Sequence, residues 1–562
     1  MDNINIGNLN RSFSLELCKV NRDVIGVIPT ECINSIKRSV LECNEIELSI
    51  KKYIHSNGKT ISNPIWEDVK EERLVCLNGK EFYILKNNKF SRNDNIKSFT
   101  GYSAEYRLKK IDIQIEDISI CLKSKDIEND IYSLDELLYD DTGWRLGHID
   151  ESVQYDIAED GTKTDKLRIQ ESVNKRWYDF IKNDVCDSFG CIAVYDTYDK
   201  VINLYDINTY GENIKIYLSY DNYIKGIERV GDSEDIVTRL YLIGNEEMDI
   251  IGSTCTGYPY IENYSYFIEN DEMSNDLISH INKYNKMVEL RNITWKELCN
   301  LKIEKLKILN NKKNEMLPIL SKIESKKRIK SAYEVQGDIT NEVKIAAEIT
   351  ELEDKRTILE IEIRNLELEI ESISNSITEV NILCKRETAT DENGKLIFNE
   401  KTLNELKDFI YCDTYSNDSF LDVNDLISAG ERELSLNCKP TLSYTLDLKN
   451  FMNNVKSNGF NQHWTGDLGL CDVIIVYDDD LDSEIFLYLN SYTQYPNAKD
   501  DENELDIEIS NKKLLDSNIR VIGDKFKDAK ISASMINRKM HLLNKQKFNT
   551  MNLEKEQIGG NI

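Results

Sequence analysis

The stretch IAAEITELEDKRTILEIEIRNLELEIESISNSITEV, residues 345–380, decides the architecture. Ile345, Ile349, Leu352, Leu359, Ile363, Leu366, Ile370, Ile373, Ile377 and Val380 follow one another at steps of four and three, interrupted only at Arg356. That a/d register lasts about five heptads and demands a partner helix along its length. At ~1.5 Å per residue it predicts a rod of roughly 50 Å. Such a rod inside an otherwise β-rich chain points to an architectural protein.

The partner is sought upstream. Residues 271–330 read as helical, with Leu277, Ile281, Tyr284, Val288, Trp295 and Leu298 on one face. Pro318 is expected to break or kink this segment, and Gly337-Asp338 to turn the chain into the heptad helix. From Leu301 to Lys330 there are ten Lys/Arg against three acids, a net of +7; from Glu342 to Glu371 there are ten acids against four Lys/Arg, a net of −6. Folding back antiparallel lays the basic arm beside the acidic one, each exposed pair contributing roughly a few tenths of a kcal/mol. The apolar seam supplies the stability and the charges select partner and orientation. A parallel oligomeric coil of the second helix alone is the rival arrangement.

The totals bound the rest. At 562 residues the chain is too long for one core and predicts several domains. Its 24 glycines and six prolines are too few for long flexible linkers. A net charge of −29 disfavours neutralising phosphates, so stable nucleic-acid binding is not expected. The 13 cysteines include no C-x-x-C, the closest pair being Cys186 and Cys191; they read as reduced, buried thiols rather than a disulfide framework or structural zinc. The start MDNINIGNLN lacks the basic and apolar regions of a signal peptide, and no apolar run approaches the ~20 residues of a membrane span. Synthesis and folding in a cytoplasm are expected.

Around the helices the pattern is short strands. Asn78-Gly79 between Glu72–Cys76 and Glu81–Leu85 predicts a hairpin. Tyr106–Leu108 and Ile111–Leu122 alternate like half-buried strands, and Ser133–Leu138 reads as a capped helix. Ser172–Phe189 predicts a helix packed through Val173, Trp177, Phe180 and Ile181. Strands at 191–195, 201–205, 214–218, 224–230 and 237–243 are expected to pair locally. Beyond the coil, 421–434 reads as a helix, and 441–448, 473–477 and 485–489 as strands.

No chemistry-bearing motif stands out. Gly58-Lys59-Thr60 ends like a phosphate loop, but Tyr53 occupies its first glycine position. The histidines at 55, 148, 280, 463 and 541 are scattered, and His463–Asp467 reads as a loop. Asp478–Asp482 opens like a calcium loop but has Ser483 at the glycine position and Leu489 at the final acid, so a solvated turn is expected. No cofactor or metal is called for.

Certain segments flanking the coil resemble a known family. Ile227-Glu228-Arg229-Val230 followed by Asp235-Ile236-Val237-Thr238-Arg239-Leu240-Tyr241-Leu242-Ile243-Gly244 resembles the core signature of phage tail-tip hub proteins, also described as tail-associated, prophage-endopeptidase-type or minor structural proteins. Thr256-Gly257-Tyr258-Pro259-Tyr260-Ile261 through Tyr266-Phe267 resembles their next run, and Thr142-Gly143-Trp144-Arg145-Leu146-Gly147 an upstream element. After the coil, Asp408-Phe409-Ile410, Ala429–Leu434, Pro440 with strand 442–448, and Asp467-Leu468-Gly469-Leu470-Cys471-Asp472-Val473 continue in family order, with two extra residues before Asp472.

The resemblance implies an α+β multidomain fold in which β-rich tail-hub domains are interrupted by a long α-helical coiled-coil hairpin insertion. Its expected parts are residues 1–125, an N-terminal β-rich hub domain; 126–270, an α+β hub domain; 271–385, the hairpin; 386–545, a C-terminal mixed hub domain; and 546–562, a polar tail. It further implies a homotrimeric ring at the tip (baseplate) of a phage tail or tail-like particle. The ring would join the distal tail or tail-tube protein to a central spike, fibre or receptor-binding protein and touch the tape-measure protein. Three copies would gather three times the chain's negative charge around a conduit, discouraging adhesion of passing DNA. The motif residues act through shape, so no catalytic residue is carried over. Many relatives continue into a peptidase, muramidase or carbohydrate-binding region, whereas little sequence follows ~545 here, so wall-degrading activity is not expected. Two other readings stay open: a tail-tip adhesin binding surface glycan through 395–545, and a peptidoglycan hydrolase.

Overall fold

The computed structural model describes residues 4–5, 13–56, 59–126, 130–157, 162–211, 213–218, 224–245, 248–391, 393–448, 467–478, 483–498 and 505–512. The chain divides into two compact units, one comprising Met1–Val237, Ile243–Met248 and Thr414–Ile562, the other Thr238–Leu242 and Asp249–Asp413.

Alternating apolar residues build the first unit around a 13-stranded sheet. Along its path lie Ile224–Asp232, Thr441–Leu448, Leu505–Ser510, Ser483–Gln494, Ile33–Ser39, Glu45–Lys51, Ile96–Ser103, Glu81–Ser91, Leu74–Leu77, Leu15–Cys18 and Val24–Ile28. Val473–Asp478 pairs with Ser483–Gln494 and carries Asn213–Leu218 as a parallel neighbour. Strands from before and after the helical excursion thus hydrogen-bond directly, Val230 opposite Ser443 and Lys37 opposite Thr493. In Ser483–Gln494, Leu487 and Leu489 are buried while Phe486 points outward, as a two-residue period requires. Each fully buried Leu or Ile contributes about 1.5–3 kcal/mol, and Leu446, Val476, Leu487, Leu489, Ile507 and Ile509 form one such cluster.

A second part of this unit packs around Trp177, which is fully buried with its indole N–H donating to Asp141 at 3.0 Å. The helix Leu134–Thr142 starts at Ser133, whose hydroxyl accepts from the Glu136 amide, and ends at Gly143 in the left-handed region. Gly147 lies against Val201 and Asn203 so closely that a Cβ has no room. Buried Arg168 donates to Asp425 at 2.7 Å and to the Ser188 carbonyl at 2.8 Å, tying this part to the helix Val423–Asn437.

Several expectations hold. The Asn78-Gly79 turn forms with both residues at positive φ, and the capped helices after Ser133 and Asp422 are present. Others need correction. Tyr106–Leu108 lies in a 3₁₀ helix, Ala104–Lys110, because three alternating residues are too few to specify a strand. The helix expected from Ser172 begins at Trp177; Arg168–Arg176 is a strand whose partner Asp112–Cys121 lies far upstream. The strands at 213–218 and 224–232 pair with Val473–Asp478 and Thr441–Leu448 rather than locally. His463–Gly466, Asp479–Asp482 and the tail 546–562 lie outside the described residues.

The second unit contains the helical hairpin. Its first arm, Asn275–Gln336, is 62 residues long, and its second, Ile339–Leu383, is 45. Ser274 caps the first arm through the Leu277 amide, Gly337 reverses the chain at φ +72°, and Asp338 caps the second through the Asn341 amide. The first arm runs through Pro318 instead of breaking there: the lost N–H costs one bond in an exposed turn, and helix continues on both sides. Ion pairs link the arms at Lys305–Glu369, Lys312–Glu362, Lys313–Glu367, Lys326–Glu348 and Lys327–Glu353, at 2.6–3.0 Å. The basic arm therefore meets the acidic arm antiparallel within one chain.

Candidate functional site

The motif residues of the second unit form a small hairpin of two strands. Arg239 opposes Glu262, Leu240 opposes Ile261, and Tyr241 opposes Tyr260. Gly257 precedes the second strand at φ +62°. Thr238 is fully buried: its hydroxyl donates to the Phe409 carbonyl at 2.6 Å and accepts from the Tyr411 amide at 2.8 Å. Leu240 is buried and Tyr241, Tyr260 and Ile261 are half-buried.

Glu262 organises the polar side of this hairpin. It accepts from Arg239 at 2.7 Å and from the Tyr264 hydroxyl at 2.9 Å, and it pairs with Arg386, just beyond the second long arm. Arg239 stacks over the Tyr260 ring at 4.2 Å, and Tyr258 stacks on Tyr260 at 4.9 Å. Burial pulls the Arg386 guanidinium below its ordinary value and pushes the Tyr264 and Tyr284 phenols up. The Tyr284 hydroxyl donates to the Cys384 carbonyl at 2.7 Å, so the first arm is bonded to the end of the second. The arrangement holds two cations on one carboxylate inside an aromatic shell, and its effect is to lock the motif hairpin to the base of the arms.

The resemblance singles out Tyr260 and Ile261 but not the adjacent Glu262, and nothing marks Arg386. Its partner lies more than a hundred residues away and no local pattern connects them. The other motif residues lie in the first unit. Gly244 donates its amide to the Met248 carbonyl at 2.8 Å, and the Gly469 amide donates to the buried Asp472 carboxylate at 2.6 Å, closing a tight turn.

In the second arm Ile349 and Ile363 are buried, and Ile345, Leu352, Leu359, Leu366, Ile370, Ile373, Ile377 and Val380 are half-buried. Leu309 and Ile323 are the buried seam residues of the first arm's middle and far portions.

Among the described residues, two arrangements have the residue types of a catalytic site. His148 shares a hydrogen bond with Asp150 at 2.9 Å, but Ser152 donates to Asp206 rather than to the imidazole, so these three residues form no Ser–His–Asp relay. A hydrogen bond from Cys255 holds the Cys384 thiol below its usual range, against burial and with help from Arg291, yet Cys384 has no exposed surface from which to attack a substrate. Among the described residues no three or more His, Cys, Asp or Glu side chains gather as a metal site, and no helix is long and apolar enough to cross a membrane.

Comparison with known proteins connects this geometry to a family. The chain is similar to the SPbeta prophage-derived uncharacterized protein YomG of Bacillus subtilis (strain 168), 23% identical over 478 residues, 81% of this chain. It spans about half, 51%, of that relative's length. Among solved structures it is similar to prophage tail protein gp18 from Listeria monocytogenes EGD-e, with a TM-score of 0.43, 10% identity and coverage of 92% of this chain and 98% of that one. It is also similar to the 43 kDa tail protein of prophage MuSo2 from Shewanella oneidensis, with a TM-score of 0.41, 8% identity and coverage of 89% and 98%. The model of the prophage endopeptidase tail family matches residues 212–518, which include the motif hairpin, both helical arms and the strands that close the large sheet. The chain therefore belongs to the prophage endopeptidase tail family and is a phage tail protein.

Proposed function

We propose that the chain is a structural hub subunit at the tail tip, three copies closing a ring that joins the distal tail or tail-tube protein to a central spike or fibre and meets the tape-measure end. The observation that carries this reading is the sheet itself. Strands on either side of a hundred-residue helical excursion pair with each other, as in Val230 opposite Ser443, which supports reading the excursion as an insertion into one body. Rigid subunits with heterologous contacts suit ring closure. In this reading the parts 1–125, 126–270 and 386–545 supply the body, 271–385 the arm, and the motif residues hold shape rather than react. The net charge of −29 is consistent with a conduit that DNA crosses without adhering. Native mass measurement of the purified chain tests it: three copies are expected, and a monomer at every concentration overturns it.

A non-enzymatic role is part of the proposal, although the family description includes an endopeptidase. Supporting it, the charged groups of the motif hairpin are committed to one another in the Arg239–Glu262–Arg386 cluster. Incubation with purified cell wall tests this directly. No new amino groups or reducing ends are expected, and their release at a rate proportional to protein would return the hydrolase reading.

A further inference from the structure

The long arms carry apolar side chains that the seam between them does not use. On the first arm Ile303, Leu306, Leu317 and Leu320 are 52, 38, 64 and 40% exposed. They follow the three-and-four spacing of a second seam, with Asn310 and Lys313 at the two intervening positions. On the second arm Ile358, Ile361 and Leu368 are 58, 55 and 56% exposed, on the side of the helix away from buried Ile363. A single exposed leucine is ordinary on any surface; rows at heptad spacing on both arms have the form of contact surfaces.

Height and charge identify what fits them. The cross-arm pairs Lys312–Glu362 and Lys313–Glu367 place residue 317 level with about residues 357–363, so the two rows occupy the same stretch of the rod. Rotation about an axis parallel to the rod, without translation, brings the first row of one hairpin onto the second row of another. Rows at different heights would instead climb into a filament. The arms bearing the rows carry opposite net charge, +7 over 301–330 and −6 over 342–371. Lys307 borders the first row, and Asp354 and Glu371 bracket the second; none of the three forms an ion pair within the chain among the described residues.

We propose that the first-arm row of one copy docks on the second-arm row of a neighbouring copy, so that the hairpins of an oligomer close into a helical bundle. The occupant is a second copy of this chain, bound heterologously at equal height. This inference rests on the homo-oligomeric hub reading and adds the place where copies touch.

The test uses full-length chains. Two tagged forms are co-expressed, one carrying Leu317→Cys and the other Ile361→Cys, and treated with a short bis-maleimide. Covalent heterodimer is expected at ten or more times the yield of a control pair, Ile329→Cys with Ile361→Cys, whose sites differ in height. In parallel, Leu317→Glu with Leu320→Glu should raise the concentration at which the oligomer dissociates at least tenfold while leaving the helical circular dichroism of each chain unchanged. A wild-type chain that is monomeric throughout overturns both this inference and the hub reading. A stable wild-type oligomer with heterodimer yield no better than the control overturns the docking alone.

Discussion

The large sheet and the helical hairpin solve the same problem by opposite means. The sheet unit is held by side chains with no exposed surface, such as Leu15, Ile36, Leu446 and Trp177, drawn from elements hundreds of residues apart. The hairpin is held by a thin seam in which most second-arm residues are only half-buried, supported by a ladder of exposed ion pairs between neighbouring stretches of chain. Burial gives the sheet unit depth of stability at the cost of long loop closures. The hairpin forms from local contacts, is thinly buried, and uses charge to choose its register. One region is built to stay rigid and the other to be long and recognisable, and each can be perturbed separately.

The largest effect should come from the core of the sheet unit. Trp177→Ala removes a fully buried side chain and the partner of Asp141, and is expected to cost about 3–5 kcal/mol. Tryptophan fluorescence and helical circular dichroism followed in one urea titration will check it. The sheet transition should move to lower urea while the helical signal of the arms keeps its midpoint. Equal displacement of both transitions would show that the two regions unfold as one and would remove the contrast.

The next effect separates the regions by pH. Glu105 is buried, and burial raises its carboxyl to about 7 despite a hydrogen bond from Ser103. Its Oε2 and the Tyr195 hydroxyl have no partner among the described residues, and both residues line a small cavity with Asn44 and Tyr178. A raised carboxyl holds its proton more tightly folded than unfolded, so the associated stability is present below about pH 4.5 and lost as pH rises through about 7. Glu105→Gln should stabilise the sheet unit by on the order of 3 kcal/mol at pH 8 and by little at pH 4.5. The hairpin should move the other way. The carboxyls of Glu348 and Glu353 are lowered by hydrogen bonds from Lys326 and Lys327, so their contribution is present above the ordinary Glu range and is lost on acidification. Melting at pH 4 and pH 8 checks both signs; parallel movement of the two regions would contradict the assignment.

How much of this was legible in the residues depends on the range of the interaction. The arms were readable because a heptad repeats its message every seven residues, and because +7 facing −6 specifies an antiparallel fold. The Asn78-Gly79 turn and the Ser133 and Asp422 caps were readable for the same local reason. Partner choice between strands was not: Thr441–Leu448 alternates plainly, Ile224–Asp232 has its apolar residues three apart, and nothing in either names the other. The helix expected from Ser172 starts five residues early because Trp177, Phe180 and Ile181 do have helical spacing, and the pattern extends backwards over the end of the strand Arg168–Arg176. The Glu262–Arg386 pair was invisible, since isolated charges acquire meaning only when the fold buries them together.

Within the hairpin, burial should still outweigh charge. Ile363 is 7% exposed in the seam, and Ile363→Ala is expected to cost about 2 kcal/mol, whereas Ile361→Ala, two residues away and 55% exposed, should change the stability of the isolated chain by no more than about 0.5 kcal/mol. Thermal melts by circular dichroism at a concentration below oligomer dissociation will compare them. Equal costs would mean that the seam is not where the apolar stabilisation lies.

The smallest effect decides what the charges are for. Lys305 reaches Glu369 across the arms at 2.7 Å, with Glu369 exposed and Lys305 half-buried at the edge of the seam. If such pairs select the antiparallel register, Lys305→Glu or Glu369→Lys alone sets like charges against each other and should lower the hairpin melting temperature, by less than Ile363→Ala does. The double reversal should restore it to within the scatter of repeat melts. Salt sharpens the test, because at 1 M the screening length is about 3 Å and exposed charges several ångströms apart no longer feel each other. Single and double variants should then melt together. Single reversals without effect at low salt would show that seam shape alone aligns the arms. The opposite charges of the two arms would then matter only for what docks on them from outside.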